Sequence, residues 1–294
     1  MRSLIAVVVV LFAMLAVNAA RAQEHETMAA SSTAPVCKKT GKFDSTCNPF
    51  GKATVPHTVD DTCAITGDAT SPGDKAQDKQ KNNLCATGTP TVITIKDLTA
   101  LQKDVDDTGV NYGNEHVHNG AGPPADRSTL FTKIPAGSPH EGDLVSFIGF
   151  IAEAKPGSVE TVDCHCTAAD AIDVHIALSD HDLNITPQTA TAVKDPLLCA
   201  NSFVAETIPH KRPLALELTA IDPLHTKKSI VKVTGQLLFD ASHKPCVGGK
   251  AGSGDPSRVT VFEIHPVYDI EVCSGTTTAE CTATSKNWKS VLNK

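Results

Sequence analysis

Apolar and polar positions alternate most clearly near the C-terminal end of the chain. Over Ile230–Phe239, Val231, Val233, Leu237 and Phe239 share one face and Lys232, Thr234 and Gln236 the other, which is the two-residue period of a half-buried strand. Val259–Val272 repeats the pattern, with Phe262, Ile264, Tyr268, Ile270 and Val272 on its inner face. Pro266 lies within that run and has no N–H for a ladder, so the strand needs an edge position or a bulge there. Three earlier segments match. Asp143–Glu153 is apolar on both faces, as a central buried strand is, and Gly149 in its middle suits a barrel bend. Ile172–Leu178 turns Ile172, Val174, Ile176 and Leu178 to the core and Asp173 and His175 away from it. Ser202–Ile208 is the third, closed by Pro209. Before the Ile230 strand, Pro213–Ile221 reads as a helix with Pro213 in its first turn and Leu214, Leu218 and Ile221 on one face; a strand is the alternative.

Three strands, a helix and two further strands, the first strand bent, predict a mainly β chain built on a small OB-like Greek-key barrel of about five strands. A two-sheet sandwich is the competing arrangement. Upstream, Thr91–Ile95 predicts a short strand, and Leu98, Leu101 and Val105 a short amphipathic helix stopped at Gly109. Val110–Ser128 is a long loop carrying His116 and His118, either two exposed side chains or a ligand pair that lacks an obvious third member. Residues 23–90 hold too few large apolar side chains for a core of their own. They read as a disulfide-stapled, loop-rich arm, disordered over 23–35, with one short exposed helix over Lys75–Asn83. The expected division is a signal peptide over 1–22, the arm over 23–90, the OB-like barrel domain over 91–273, and a C-terminal tail with a short disulfide loop over 274–294.

The leader changes the picture by setting a compartment. Arg2, the uncharged apolar run Leu4–Val17 and the small residues of Ala20-Arg-Ala22 predict cleavage near Ala22 and a secreted or periplasmic protein. The run is short for a membrane span, and no later stretch suits one. Ten cysteines, all after the leader, argue for disulfides: Cys37, Cys47, Cys63, Cys85, Cys164, Cys166, Cys199, Cys246, Cys273 and Cys281. Proximity suggests Cys37–Cys47, Cys63–Cys85 and Cys273–Cys281, with Cys164 and Cys166 taking Cys199 and Cys246. Cys164-His-Cys166 also admits a zinc or copper site, although its spacing is tighter than that of ordinary zinc motifs.

The whole chain has 26 basic and 33 acidic residues, a formal charge of −7. Removing Arg2 and Arg21 leaves 24 against 33, or −9. With no basic stripe and few aromatics, nucleic acid is excluded as a partner. No H-E-x-x-H, G-x-S-x-G or phosphate-binding loop is present.

Several segments are distinctive: Lys81-Asn-Asn-Leu-Cys-Ala86, Asp173-Val-His-Ile176, Val204-Ala-Glu-Thr-Ile-Pro-His210, Val233-Thr-Gly-Gln-Leu-Leu-Phe-Asp-Ala-Ser-His243 and Phe262-Glu-Ile-His-Pro-Val-Tyr268. In these, from about residue 60 to 273, the chain resembles a family of exported bacterial proteins. The resemblance implies export and bacterial origin and brings no assigned reaction.

The same segments place polar side chains on the outward face of the predicted strands. Asp173 and His175 share a face, as do Glu263 and His265, and Glu206 lies on the third strand. Three readings follow. The group is structural, satisfied across strands or by the arm. Alternatively, it binds a ligand or a divalent metal such as zinc, with imidazole nitrogen and carboxylate oxygen as donors. In the third reading it is a metal-dependent hydrolase, with His175, His265 and nearby carboxylates activating a water. The leading expectation is a non-enzymatic exported module that binds a small molecule, glycan or protein; a structural envelope protein is the third possibility.

Overall fold

The computed structural model describes residues 37–110, 112–113, 123–128 and 137–293. The predicted leader, the first residues of the arm and the His116/His118 pair lie outside them. Among the described residues, four helices and seven strands follow in chain order: α1 (Pro72–Lys81), β1 (Thr91–Ile93), α2 (Ile95–Thr108), β2 (Leu144–Pro156), β3 (Val174–Ser179), α3 (Thr191–Asn201), β4 (Phe203–Thr207), α4 (Leu218–Thr226), β5 (Ile230–Phe239), β6 (Phe262–Cys273) and β7 (Trp288–Ser290).

The strands pair in the order β2-β3-β4-β6-β5, and β5 pairs back with β2. That closes a mixed five-stranded barrel, with β4 and β6 parallel and the other pairs antiparallel. The OB-like expectation holds, and closure removes the unpaired edges of a sandwich. β1 adds to β2 in parallel and β7 to β6.

The alternating apolar positions fill the interior. Val145, Phe147, Val174, Ile176, Leu178, Phe203, Ala205, Val231, Val233, Leu237, Phe239, Phe262, Ile264 and Ile270 form one buried cluster. Phe147 meets Phe203 edge to face at 4.8 Å. Gly149 sits where a Cβ would lie 2.2 Å from the Ser179 carbonyl oxygen, so only glycine lets β3 approach the bent strand. Around Pro266 the β5–β6 register slips, Gly235 facing Val267 and Leu237 facing Ile264, which is the bulge that proline requires.

Four expectations need correction. α1 is not exposed: Gln77, Asp78 and Lys81 are buried against the barrel. The helix before β5 begins at Leu218, after a 3₁₀ turn over Leu214–Leu216. Leu214 therefore leaves the buried face and is 67% exposed, while Ile221 is buried. α3 is not among the predicted elements; Val193 is exposed and Leu198 buried, a weak stripe for an eleven-residue helix. Finally, all ten cysteines are paired, but mostly not with near neighbours. The bonds are Cys37–Cys166, Cys47–Cys85, Cys63–Cys164, Cys199–Cys246 and Cys273–Cys281. Only Cys273–Cys281 matches the proximity pairing. The arm folds back over the barrel and brings Cys37 and Cys63 to the β2–β3 connection, where Cys164 and Cys166 wait. Those two thiols are consumed as disulfides, which removes the zinc or copper reading of Cys164-His-Cys166. His165 instead faces Asp68 at 2.8 Å.

Among the described residues, no helix is long and apolar enough to cross a membrane.

Candidate metal centre

The barrel's inner and outer faces are set by one period. Ile176, Ala205 and Ile264 point inward, so His175, Glu206, Glu263 and His265 point out. β3 and β4 place His175 opposite Glu206, and the parallel β4–β6 contact places Ala205 opposite Ile264, which brings Glu206 beside His265. Asp173 immediately precedes β3. All five side chains predicted from the sequence therefore meet on one patch of the outer face.

That patch is not open to solvent. Asp173, His175, Glu206, Glu263 and His265 are each at most 3% exposed. α1 packs beside them on Gln236 and Asp240, while the β2–β3 connection reaches His175 through Gly157 and the β5–β6 connection through Asp255. His175 Nδ1 donates to the Asp255 carbonyl at 2.7 Å. Gly157 passes so close that a Cβ there would stand 2.8 Å from His175 Nε2, so the start of the β2–β3 connection fits there only with glycine. Across the seal, Tyr268 donates its hydroxyl to the Asn83 carbonyl at 2.8 Å. Gln236 Nε2 donates to the carbonyls of Gln80, at 2.9 Å, and of His265, at 3.0 Å.

Two clusters share the covered patch. In the first, Asp173, Glu206 and His265 each offer a ligand atom, all within 4.8 Å of one another. His265 Nε2 lies 3.8 Å from Asp173 Oδ2, and His265 Nδ1 lies 3.0 Å from Glu206 Oε2 and 3.4 Å from Glu263 Oε2. The Nδ1–H points along the Glu263 direction, in hydrogen-bond geometry. His175 Nε2 stands 3.3 Å from Glu206 Oε1. The second cluster is Asp240, His243 and Glu263. Gln77 Nε2 and the Ser242 amide each donate to Asp240 Oδ1 at 2.9 Å, and His243 bonds its other oxygen. Lys81 Nζ is 3.7 Å from Asp240 and 3.2 Å from Glu160, and Arg258 pairs with Glu263.

The electrostatics separate the clusters. Burial alone would raise Asp240, but His243 and Lys81 hold it well below the carboxylate range. Burial would lower Lys81, but Asp240 and Glu160 hold it charged. In the first cluster, burial raises Asp173 to about 7, opposed by His265 and reinforced by Glu206. Burial would lower His265, yet Glu206, Glu263 and Asp173 raise it to about 10. Burial would raise Glu206, which His175 and His265 keep well below its usual value.

Hydrogen bonding separates them further. Among the described residues, both oxygens of Asp173 and of Glu206, with Nε2 of His175 and of His265, are buried without a hydrogen-bond partner. The same holds for both oxygens of Asp163, in the β2–β3 connection. Asp163, Lys81, Asp240 and Arg258 were not picked out by the strand pattern. None lies in the body of a β-strand, and Lys81 ends a helix with no apolar stripe. Their one visible trace is position: Lys81 and Asp240 belong to the distinctive segments, and Asp163 adjoins Cys164.

No protein-family model matches this chain, and no curated protein or solved structure does either. Fold and site define a class: a disulfide-stapled OB-like barrel with a buried cluster of carboxylates and imidazoles. Within that class the particular trait of this chain is the placing of the cluster. It lies on the outer face of β3, β4 and β6, closed off from solvent.

Proposed function

We propose that this chain is an exported binding module whose ligand is a single divalent cation, held by Asp173, Glu206 and His265 beneath the arm. The carrying observation is the set of buried oxygens on Asp173 and Glu206, and His265 Nε2, left without hydrogen bonds. Buried polar groups are nearly always satisfied; Glu206 faces His265 and His175 at 3.0 and 3.3 Å, whereas Asp173 stands 3.8 Å from His265 and is the least satisfied of the three. One ion at about 2.0–2.2 Å from each donor satisfies several at once.

The donor set suits zinc or another first-row divalent ion. Glu263 supports it by accepting from His265 Nδ1, which leaves Nε2 as the donor atom toward Asp173, the usual carboxylate–histidine–metal relay. A closed site favours a structural ion over a catalytic one, since catalysis needs an open coordination position reached by substrate. The ion then locks arm to barrel, and metal-dependent hydrolysis is disfavoured. Export is supported by the five disulfides, the apolar N-terminal run and the resemblance to exported bacterial proteins.

The test is elemental analysis of untagged protein, followed by thermal melting with and without a chelator. One equivalent of a divalent metal and a lower melting temperature in chelator are expected. A metal-free protein that takes up no added ion and melts identically in chelator refutes the reading and leaves a purely structural network.

A further inference from the structure

The C-terminal half of β6 belongs to neither cluster. Its outward residues, Asp269 and Glu271, stand on the floor of a cleft of about 430 Å³, within the range of about 300–1,000 Å³ usual for small-ligand sites. The sheet register builds that floor. Val92 of β1 pairs with Ser146 of β2, Ser146 with Thr234 of β5, and Thr234 with Asp269, so one row crosses four strands. In the neighbouring row Lys232 pairs with Glu271. Val145, Phe147, Val233 and Ile270 alternate with these residues and fill the core, so the polar side chains stand outward from a hydrogen-bonded ladder. Pro90 and the exposed Val92 give the cleft an apolar edge.

The charges in the cleft narrow what it can take. Lys232 Nζ lies 2.6 Å from Glu271 Oε2, so those two cancel. Asp269 is the odd charge, with one oxygen accepting from Ser290 Oγ at 2.8 Å. Burial raises Asp269 to about 6, against the pull of Ser290, which marks a carboxyl short of solvent. An amine entering the cleft meets Lys232, and an anion meets two carboxylates. An uncharged polyol meets neither repulsion. The carboxylates accept from its hydroxyls, Lys232, Ser146 and Thr234 can donate to it, and Pro90 and Val92 cover its C–H face. We propose that this cleft binds a neutral glycan chain. It shares no residue with the ion site, so the inference stands or falls apart from the cation reading.

The chain's single tryptophan supplies a readout. Trp288 Nε1 donates to the Thr282 carbonyl at 2.9 Å, and Lys232 Nζ lies 5.2 Å from the centre of the indole ring. A ligand that draws Lys232 toward itself changes the surroundings of that ring. The experiment titrates untagged, oxidised protein with cellohexaose, xylohexaose, maltohexaose and chitohexaose in turn, and with hexalysine as a charged chain. Trp288 emission and the heat of binding are followed together. At least one oligosaccharide is expected to bind with a Kd between about 1 μM and 1 mM. Asp269→Ala is expected to weaken it about tenfold or more, as loss of hydrogen bonds to a charged group does. Should Asp269→Ala not fold, Asp269→Asn is read by the same criteria. No heat and no change in emission with any of the four sugars up to about 10 mM overturns the proposal, as does binding of hexalysine alone. Sugar affinity of the Asp269 variant within about threefold of the parent overturns the assignment to this cleft.

Discussion

The two buried clusters look alike in composition, yet they behave as opposites. Asp240, His243 and Glu263 have metal-ligand spacing, but Lys81, Arg258, Gln77 and the Ser242 amide already occupy their oxygens. Asp173, Glu206 and His265 have the same spacing, with carboxylate oxygens and Nε2 unbonded. Spacing alone thus fails to distinguish a site from a salt-bridge network. The distinguishing quantity is whether hydrogen-bond donors of the chain fill the carboxylate oxygens, because a buried polar atom needs a partner from somewhere.

The largest test removes the internal cation. Lys81→Met strands Asp240 in the interior and is expected to cost about 3–5 kcal/mol in urea unfolding, as breaking a buried pair does. A loss below about 1 kcal/mol would show that the saturated cluster is not held by charge. Next comes the ion itself. At a free concentration about 100 times its Kd, Mn²⁺ or Zn²⁺ should add about 2.7 kcal/mol to the parent. Asp173→Asn should erase that gain, while Asp240→Asn should keep it despite a lower baseline; thermal melts with and without ion decide. If Asp240→Asn loses the response and Asp173→Asn keeps it, the assignment of the two clusters is reversed.

A smaller effect depends on pH at Asp78, one turn before Lys81 on α1. Burial raises Asp78 to about 7, only partly offset by Lys81. Its folded value lies above its ordinary 3.8, so the carboxyl resists ionising in the fold. Its contribution is greatest below about pH 4, declines as pH rises, and levels off above about 7. Asp78→Asn should therefore leave stability nearly unchanged at pH 4 and raise it by about 1–3 kcal/mol at pH 8, since a tenfold change in acidity is about 1.4 kcal/mol. Denaturant titrations at the two pH values check the sign. The smallest effect belongs to a histidine–acid pair at the surface. His165→Gln, beside Asp68 and exposed Lys38, should change stability by no more than about 1 kcal/mol by the same measurement.

What could be read from the residues was local. The period-two alternation in β3 and β6 placed Asp173, His175, Glu263 and His265 outward, and the order of strands and helix led to the barrel. The rest was carried by distant contacts. α1 is a polar helix that reads as a solvated one, because Gln77 and Lys81 are buried by hydrogen bonds and charge, which hydropathy does not record. Asp163 sits in a connection with no periodicity at all. The cysteines misled for the same reason: chain proximity favours short loops, whereas Cys37 and Cys166 are 129 residues apart. Leu214 kept its apolar label but lost its face when the chain made a 3₁₀ turn before α4.

That connectivity has a consequence for the order in which the chain becomes available. A polypeptide appears N-terminus first. By the time residue 85 has emerged, Cys37, Cys47, Cys63 and Cys85 are all present, yet only Cys47 and Cys85 can make their final bond. Cys37 and Cys63 must wait for Cys166 and Cys164. An oxidant acting on the nascent arm would join the two waiting thiols to each other, a bond that must later be exchanged by thiolate attack. The staple over the buried face is thus a timing device as well as a clasp: the arm reaches its final bonds only after the β2–β3 connection exists to receive it.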